Sequence, residues 1–113
     1  MQKIILTGAP ISTNSCYRHS RNITYLTPKA RKLRKDYTTQ AQQQWKKPPL
    51  KTELFIDIIL YFGDKRKRDW DNYHKLSMDS LEGVVFENDC QIKEATVHKE
   101  YDKENPRIEI III

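Results

Sequence analysis

From Leu50 to Phe62 the chain alternates. Leu50, Thr52, Leu54, Ile56, Ile58, Leu60 and Phe62 fall on one side, and Lys51, Glu53, Phe55, Asp57, Ile59 and Tyr61 on the other. Period two over this length predicts a β-strand with one face in the core and the other partly covered. It ends at Gly63-Asp64. Residues 2–7 alternate more weakly before Gly8-Ala9-Pro10 and predict a first strand, followed by a loop rich in Ser, Thr and Asn. Ile23 to Leu26 predicts a short second strand. Gln91 to Tyr101 and Arg107 to Ile113 predict two more, joined as an antiparallel hairpin through the turn chemistry of Asp102 to Pro106. The terminal run Ile110 to Ile113 implies burial on both faces, in a sheet interior or at a subunit interface, since an exposed edge of that composition would aggregate.

Two segments change to a helical period. Thr27 supplies a capping hydroxyl and Pro28 suits the first helical position, so a helix is predicted from there to about Trp45. Ala30, Leu33, Tyr37, Ala41 and Trp45 form its narrow apolar stripe, and Lys46-Lys47-Pro48-Pro49 ends it. Lys29, Arg31, Lys32, Arg34 and Lys35 make its first half basic, either as a solvated face or as a surface turned to DNA. A second helix is predicted from about Trp70 to Glu82, with Tyr73, Leu76, Ser77, Ser80 and Leu81 on one face and Asp71, Lys75 and Asp79 on another. Gly83 is its natural stop. The resulting fold class is α/β (α+β): a small mixed β-sheet with two main helices packed on it, as a single domain over residues 1–113, a length that supports one core rather than two.

Charge narrows the range of partners. The chain has 20 Lys+Arg against 15 Asp+Glu, a net charge of +5 and a pI near 9.2, which favours an anionic partner without identifying it. Cys16 and Cys90 lie far apart with no C-x-x-C spacing, and are read as free thiols in a reducing compartment. Ile4-Ile5-Leu6 is too short for a secretory segment, and no apolar stretch approaches the ~20 residues that span a bilayer. A cytoplasmic protein with no membrane partner is expected.

The chemistry concentrates at Lys65-Arg66-Lys67-Arg68-Asp69-Trp70-Asp71-Asn72-Tyr73-His74-Lys75. Four consecutive cations stand against two carboxylates one residue apart, with a lysine four residues beyond the second. A basic run can hold a polyanion, paired carboxylates can hold a divalent metal, and a lysine can stabilise charge on a reacting phosphate. Asp69 and Asp71 stand at the predicted helix start, where both side chains can reach its N-terminal end and Trp70 between them is expected to point toward the core. The structural alternative is that Asp69 caps the helix and Asp71 complements its dipole. The basic run, the placing of Lys75 one turn beyond Asp71 and a third acid at Asp89 favour the metal reading. Two close carboxylates repel unless a cation neutralises them. Oxygen ligands without cysteines select a hard ion, Mg²⁺ or Mn²⁺. His74 reads as surface or packing, and Asp79 as a partner of Lys75 or a loop cap.

At these residues the chain resembles the RusA family of Holliday junction resolvases. The similarity lies in Arg66-Lys67-Arg68-Asp69-Trp70-Asp71-Asn72 with Lys75, then Met78-Asp79-Ser80-Leu81, then Asn88-Asp89-Cys90-Gln91-Ile92. The N-terminal Pro10-Ile11-Ser12-Thr13-Asn14, Tyr17-Arg18 and Tyr25-Leu26-Thr27 are also similar to the family's opening. The resemblance implies Asp69, Asp71 and Asp89 as metal-binding catalytic carboxylates and Lys75 as the essential lysine. Lys65, Arg66, Lys67, Arg68 and Asn72 are the expected DNA contacts. It further implies a homodimer that resolves four-way DNA junctions by paired nicks, with Mg²⁺ as cofactor and Mn²⁺ as the alternative ion. Asn88 stands where the family usually has the first of two acids, which lowers the local negative charge. The competing readings are a non-catalytic basic module that binds nucleic acid, and a nuclease acting on RNA or another branched structure.

Overall fold

The structure is a computed structural model that describes residues 2–113. Strand β1 (Gln2–Thr7) leads into a single helical turn, α1 (Thr13–Cys16), and a hairpin of β2 (Tyr17–Ser20) and β3 (Ile23–Leu26). Then come α2 (Pro28–Gln44), β4 (Leu54–Phe62), α3 (Lys75–Leu81), a 3-10 turn (Asp89–Gln91), β5 (Ile92–Tyr101) and β6 (Arg107–Ile112). Among the described residues no helix is long and apolar enough to cross a membrane.

The main sheet has the order β1-β6-β4-β5, with β4 and β5 parallel and the other pairs antiparallel. It is the mixed sheet of an α+β fold. Leu54, Ile56, Ile58, Leu60 and Phe62 of β4 are buried, as the alternation predicts. The strand begins at Leu54 rather than Leu50, which makes only an isolated bridge to Phe86. Ile4, Leu6, Ile108, Ile110 and Ile112 continue the same buried face, which packs against Ala30, Tyr37 and Ala41 of α2 and Leu76 and Leu81 of α3 in one hydrophobic core.

The predicted β5–β6 hairpin does not form. The two strands lie on opposite sides of β4, and residues 102–106 carry the chain across its end, a step of about 10 Å at ordinary strand spacing. Asp102 N–H donates to the Phe62 carbonyl at 2.8 Å, and Asp102 Oδ1 accepts from the N–H groups of Glu104 and Asn105 at 3.2 Å each, so the turn chemistry is present but is anchored on β4. The most continuously apolar strand takes the centre, where both its edges are paired. β6 sits in the sheet interior with Ile110 and Ile112 buried, whereas Ile113 is 64% exposed.

Helix α2 matches its sequence signals at both ends: Thr27 Oγ1 accepts from Ala30 N–H at 3.2 Å, Pro28 opens the helix, and Trp45 is the C-cap. Its glutamine-rich half has a role that periodicity did not reveal. Gln44 exchanges two hydrogen bonds with the Ile5 backbone, at 2.8 and 2.7 Å, and Gln40 Oε1 accepts from Thr7 N–H at 2.9 Å. The side-chain amides thus close the free edge of β1. The β2–β3 hairpin turns through Arg21 (φ 47°) and Asn22 (φ 67°), a two-residue turn with both central residues left-handed, which suits the twist of a hairpin.

Helix α3 is shorter than predicted, starting at Lys75 instead of Trp70. Residues 64–74 are held in an irregular loop by tertiary contacts. Arg68 Nη1 pairs with Asp64 Oδ1 at 2.8 Å, and its guanidinium lies 4.3 Å from the centre of the Phe62 ring. The Arg68 carbonyl accepts from Lys99 Nζ at 2.5 Å, the Asn72 carbonyl accepts from Thr13 N–H at 2.7 Å, and Tyr73 packs edge-on against Phe62 at 5.0 Å. Asp69 therefore does not cap the helix, and Trp70 is 58% exposed rather than turned into the core.

Candidate active site

Helices α2 and α3 cover the β1, β6 and β4 part of the sheet and leave β5 largely exposed. The gap between α3 and β5 is a cleft of about 350 Å³. Ile58, Met78 and Ile92 supply apolar lining, and Asp71, His74, Lys75, Asp79 and Asp89 supply polar groups. The sequence placed Asp69, Asp71, Lys75 and Asp89 together, and the last three line this one cleft. Asp69, two residues before Asp71, is exposed on the loop and does not contribute to the lining.

Asp79 is the most connected carboxylate of the cleft. Its Oδ2 accepts from the Tyr17 hydroxyl at 2.5 Å and pairs with Lys75 Nζ at 3.2 Å, while Lys75 Nζ also lies 5.2 Å from the centre of the Tyr17 ring. Asp79 thereby meets the expectation that it would pair with Lys75. Burial, reinforced by the hydrogen bond to Asp79, pushes the Tyr17 phenol well above its ordinary range. Tyr17 and Asp79 together hold the lysine at the edge of the cleft.

One carboxylate oxygen each from Asp79, Glu82 and Asp89 lies within 4.8 Å of the others. Burial, followed by the charges of Asp89 and Asp79, raises the Glu82 pKa, with Arg34 and Lys75 opposing the shift. Crowded acids of this kind favour a compensating cation. Hard oxygen donors without a thiolate fit a divalent metal ion. Glu82 was not singled out from the sequence, although its i, i+3 spacing from Asp79 on a helical pattern was visible there. Tyr17, 62 positions from Asp79, had no such local signal.

Asp89 is presented by a capped turn. Asn88 Oδ1 accepts from Cys90 N–H at 2.9 Å, and Gln91 Oε1 accepts from Asn88 N–H at 2.8 Å. Gln91 Nε2 then donates to the Leu50 and Thr52 carbonyls, both at 2.9 Å, fastening the turn to the segment before β4. An amide at position 88 is thus a good capping residue, and the acid that follows is left free of side-chain partners in the turn.

His74 is half-buried in the cleft wall, and its Nδ1 is the buried side-chain polar atom without a hydrogen-bond partner among the described residues. Burial holds its pKa below the ordinary value; Asp71 pulls it up and Lys75 pushes it down. The reading of His74 as packing fits its place at the start of α3, where its carbonyl accepts from Ser77 Oγ at 2.7 Å.

The basic run divides in two. Lys65, Arg66 and Lys67 are exposed, with the Arg66 side chain 79% accessible, whereas the Arg68 side chain is only 12% accessible and is committed to Asp64 and Phe62. The hydrogen bond from Arg68, with the nearby Arg66, holds the Asp64 carboxyl well below the usual carboxylate range. Asn72 is half-buried and anchors the loop through its carbonyl.

An acidic cleft with a tethered lysine, cut beside the open strand of an α+β sheet and neighboured by exposed cations, defines a small domain equipped for chemistry on a polyanion. The model of the family described as Endodeoxyribonuclease RusA matches residues 8–113, and the chain belongs to that family. It is 29% identical over 104 residues to the crossover junction endodeoxyribonuclease RusA of Shigella sonnei (strain Ss046), an alignment covering 91% of this chain and 87% of that protein. The enzyme of the same name from Enterobacteria phage 82 gives the same identity and coverage.

Proposed function

We propose that this chain is a divalent-cation-dependent endodeoxyribonuclease that resolves four-way DNA junctions by paired symmetric nicks. The observation that carries this reading is the convergence of Asp71, Lys75, Asp79 and Asp89 on one cleft, just downstream of the anchored end of a basic run. The family and the names of both relatives support the substrate. Asp71 and Asp89 are assigned as metal ligands, with Asp69 available from the adjoining loop and with Asp79 and Glu82, whose carboxylate oxygens stand within 4.8 Å of that of Asp89, completing the acidic set. Mg²⁺ suits such oxygen donors, with Mn²⁺ as the alternative. Bound there, the ion would supply Lewis acidity toward the phosphate and a more acidic water.

The remaining roles belong to the chain's own groups. Lys75 is assigned to the charge that builds on the phosphate oxygens, and Asp79 and Tyr17 keep its ammonium in place. Lys65, Arg66 and Lys67 hold backbone phosphates, which gives recognition of shape with a steep salt dependence. Arg68 and Asn72 support the loop from within rather than through exposed side chains.

Two symmetric cuts require two sites. The chain measures 38 × 34 × 25 Å and has one carboxylate cluster of this kind among the described residues, so a C₂ homodimer matches the symmetry of the junction. The face of the sheet turned away from the helices is assigned to the second copy. Phe55, Ile59, Tyr61, Ile111 and Ile113 share it by register, and all are exposed or half-buried. Its centre is already ordered by Glu109. Burial pushes that carboxyl up, but Arg107 at 2.7 Å and Lys3 at 3.2 Å bring its pKa below the ordinary value.

Asp71→Asn tests the site itself. Cleavage should be lost while junction binding is kept or improved, because a negative charge beside a phosphate has been removed. Retained cleavage would refute the assignment.

A further inference from the structure

We propose that Trp70 stacks on a nucleobase exposed at the branch point and so contributes to the preference for branched over linear DNA. The proposal rests on the reading of the chain as a junction nuclease. Trp70 is 58% exposed although it is one of the largest apolar side chains in the protein, and it lies between Asp69 and Asp71, both also exposed. An isolated apolar residue on a mobile surface would mean little. Here the backbone on either side is fastened. On one side Arg68 is held by Asp64, by the Phe62 ring and by Lys99 on its carbonyl; on the other, the Asn72 carbonyl is bound to Thr13 N–H. Three residues are left between the anchors, so the indole is presented on a short, fixed arch beside the carboxylate cleft.

That position selects the ligand chemistry. Asp71 is Trp70's immediate neighbour, about 3.8 Å away between Cα atoms, and lines the cleft in which the scissile phosphate is placed. The exposed cations Lys65, Arg66 and Lys67 hold the backbone on the upstream side. A flat aromatic surface next to a bound phosphodiester meets sugar and base edges of the flanking nucleotides. In a continuous duplex the base faces are covered by their own neighbours. At a branch point stacking is interrupted and a face becomes available, so the indole gains a stacking partner on a junction that linear DNA does not offer. Discrimination by shape then arises beside the chemistry, without reading sequence.

The test uses the uncleaving Asp71→Asn chain, alone and combined with Trp70→Ala or Trp70→Phe. The DNA is a four-way junction carrying 2-aminopurine next to the branch point, with a linear duplex of the same length as control. Trp70→Ala should weaken junction binding by roughly 5- to 150-fold, the range of one base–aromatic stack, and leave duplex binding within about twofold, outside that stacking range. The 2-aminopurine signal that changes on binding should lose that response with Ala and keep it with Phe. Equal losses on junction and duplex, or an unchanged junction affinity with an unchanged 2-aminopurine response, would overturn the inference while leaving the nuclease reading intact. A parent chain with no preference for the junction would refute both. Circular dichroism of the Ala variant should match its parent, since the replaced side chain is largely in solvent.

Discussion

Replacing Tyr17 with phenylalanine removes one hydroxyl and keeps the ring whose centre lies 5.2 Å from Lys75 Nζ. The substitution abolishes the 2.5 Å hydrogen bond to Asp79 Oδ2, the tie between the β2–β3 hairpin and α3. Hydrogen bonds to charged groups contribute about 1.5 to 3 kcal/mol. The Asp79 side chain retains 23% of its accessibility, so water recovers part of that contribution. A loss of about 1 to 2 kcal/mol is expected, equivalent to about 4 to 8 °C in Tm for a domain slightly over 100 residues. Urea unfolding should show a lower midpoint with an unchanged m value, because the surface exposed on unfolding is the same. Combining Tyr17→Phe with Asp79→Ala should give less than the sum of the single losses, with a coupling energy of similar size. A Tyr17→Phe loss below about 0.3 kcal/mol, or strict additivity in the cycle, would show that Tyr17 does not hold Asp79 and would remove the support proposed for Lys75.

Millimolar Mg²⁺ should raise the thermal midpoint, EDTA should reverse the effect, and Asp89→Asn should reduce it, as followed by scanning fluorimetry; a full shift in Asp89→Asn would place the ion elsewhere. Arg66→Ala combined with Lys67→Ala should lower the slope of log K against log salt for junction binding by about 1 to 2, and an unaltered slope would take the basic run out of the interface. His74 gives a pH dependence with a definite sign. Its folded pKa lies below the ordinary imidazole value of 6.5, so on acidification the unfolded chain takes up the proton first. Its contribution is present above that value and is lost as pH falls through the folded pKa. Denaturation midpoints between about pH 7.5 and 5.5, a window that brackets the unfolded imidazole pKa, should fall more steeply for the native chain than for His74→Gln. Parallel curves would contradict the burial of the imidazole.

The elements that the sequence made legible were those with strong local signals. β4 has a long alternation, and α2 has Thr27-Pro28 at one end and Lys46-Lys47-Pro48-Pro49 at the other. β2 was missed because Tyr17-Arg18-His19-Ser20 carries little hydrophobic signal and its turn uses Arg21-Asn22 without a glycine. The β5–β6 connection has the composition of a hairpin, yet strand order is decided by which strand must be buried on both edges, a property of the whole sheet. The first turn of the second predicted helix was lost to Arg68, Asn72 and Tyr73, whose partners Asp64, Phe62 and Thr13 stand elsewhere in the chain. At the site, residue types and spacing singled out Asp69, Asp71, Lys75 and Asp89; Asp71, Lys75 and Asp89 line one cleft, while Asp69 stays on the exposed loop outside its lining. The tether from Tyr17 and the entry of Glu82 into the carboxylate cluster depend on tertiary packing.

The cleft of Asp71, Lys75, Asp79 and Asp89 is assigned the cutting of branched DNA with the help of a divalent ion. The most direct test of that assignment is incubation of the native chain with a labelled synthetic four-way junction, beside a linear duplex and single-stranded RNA of matched length, in Mg²⁺ and in EDTA. Paired symmetric nicks in the junction alone, present with Mg²⁺ and absent with EDTA, are the predicted result. Tight junction binding with no cleavage in Mg²⁺ or Mn²⁺ would contradict it and return the carboxylates to structural roles.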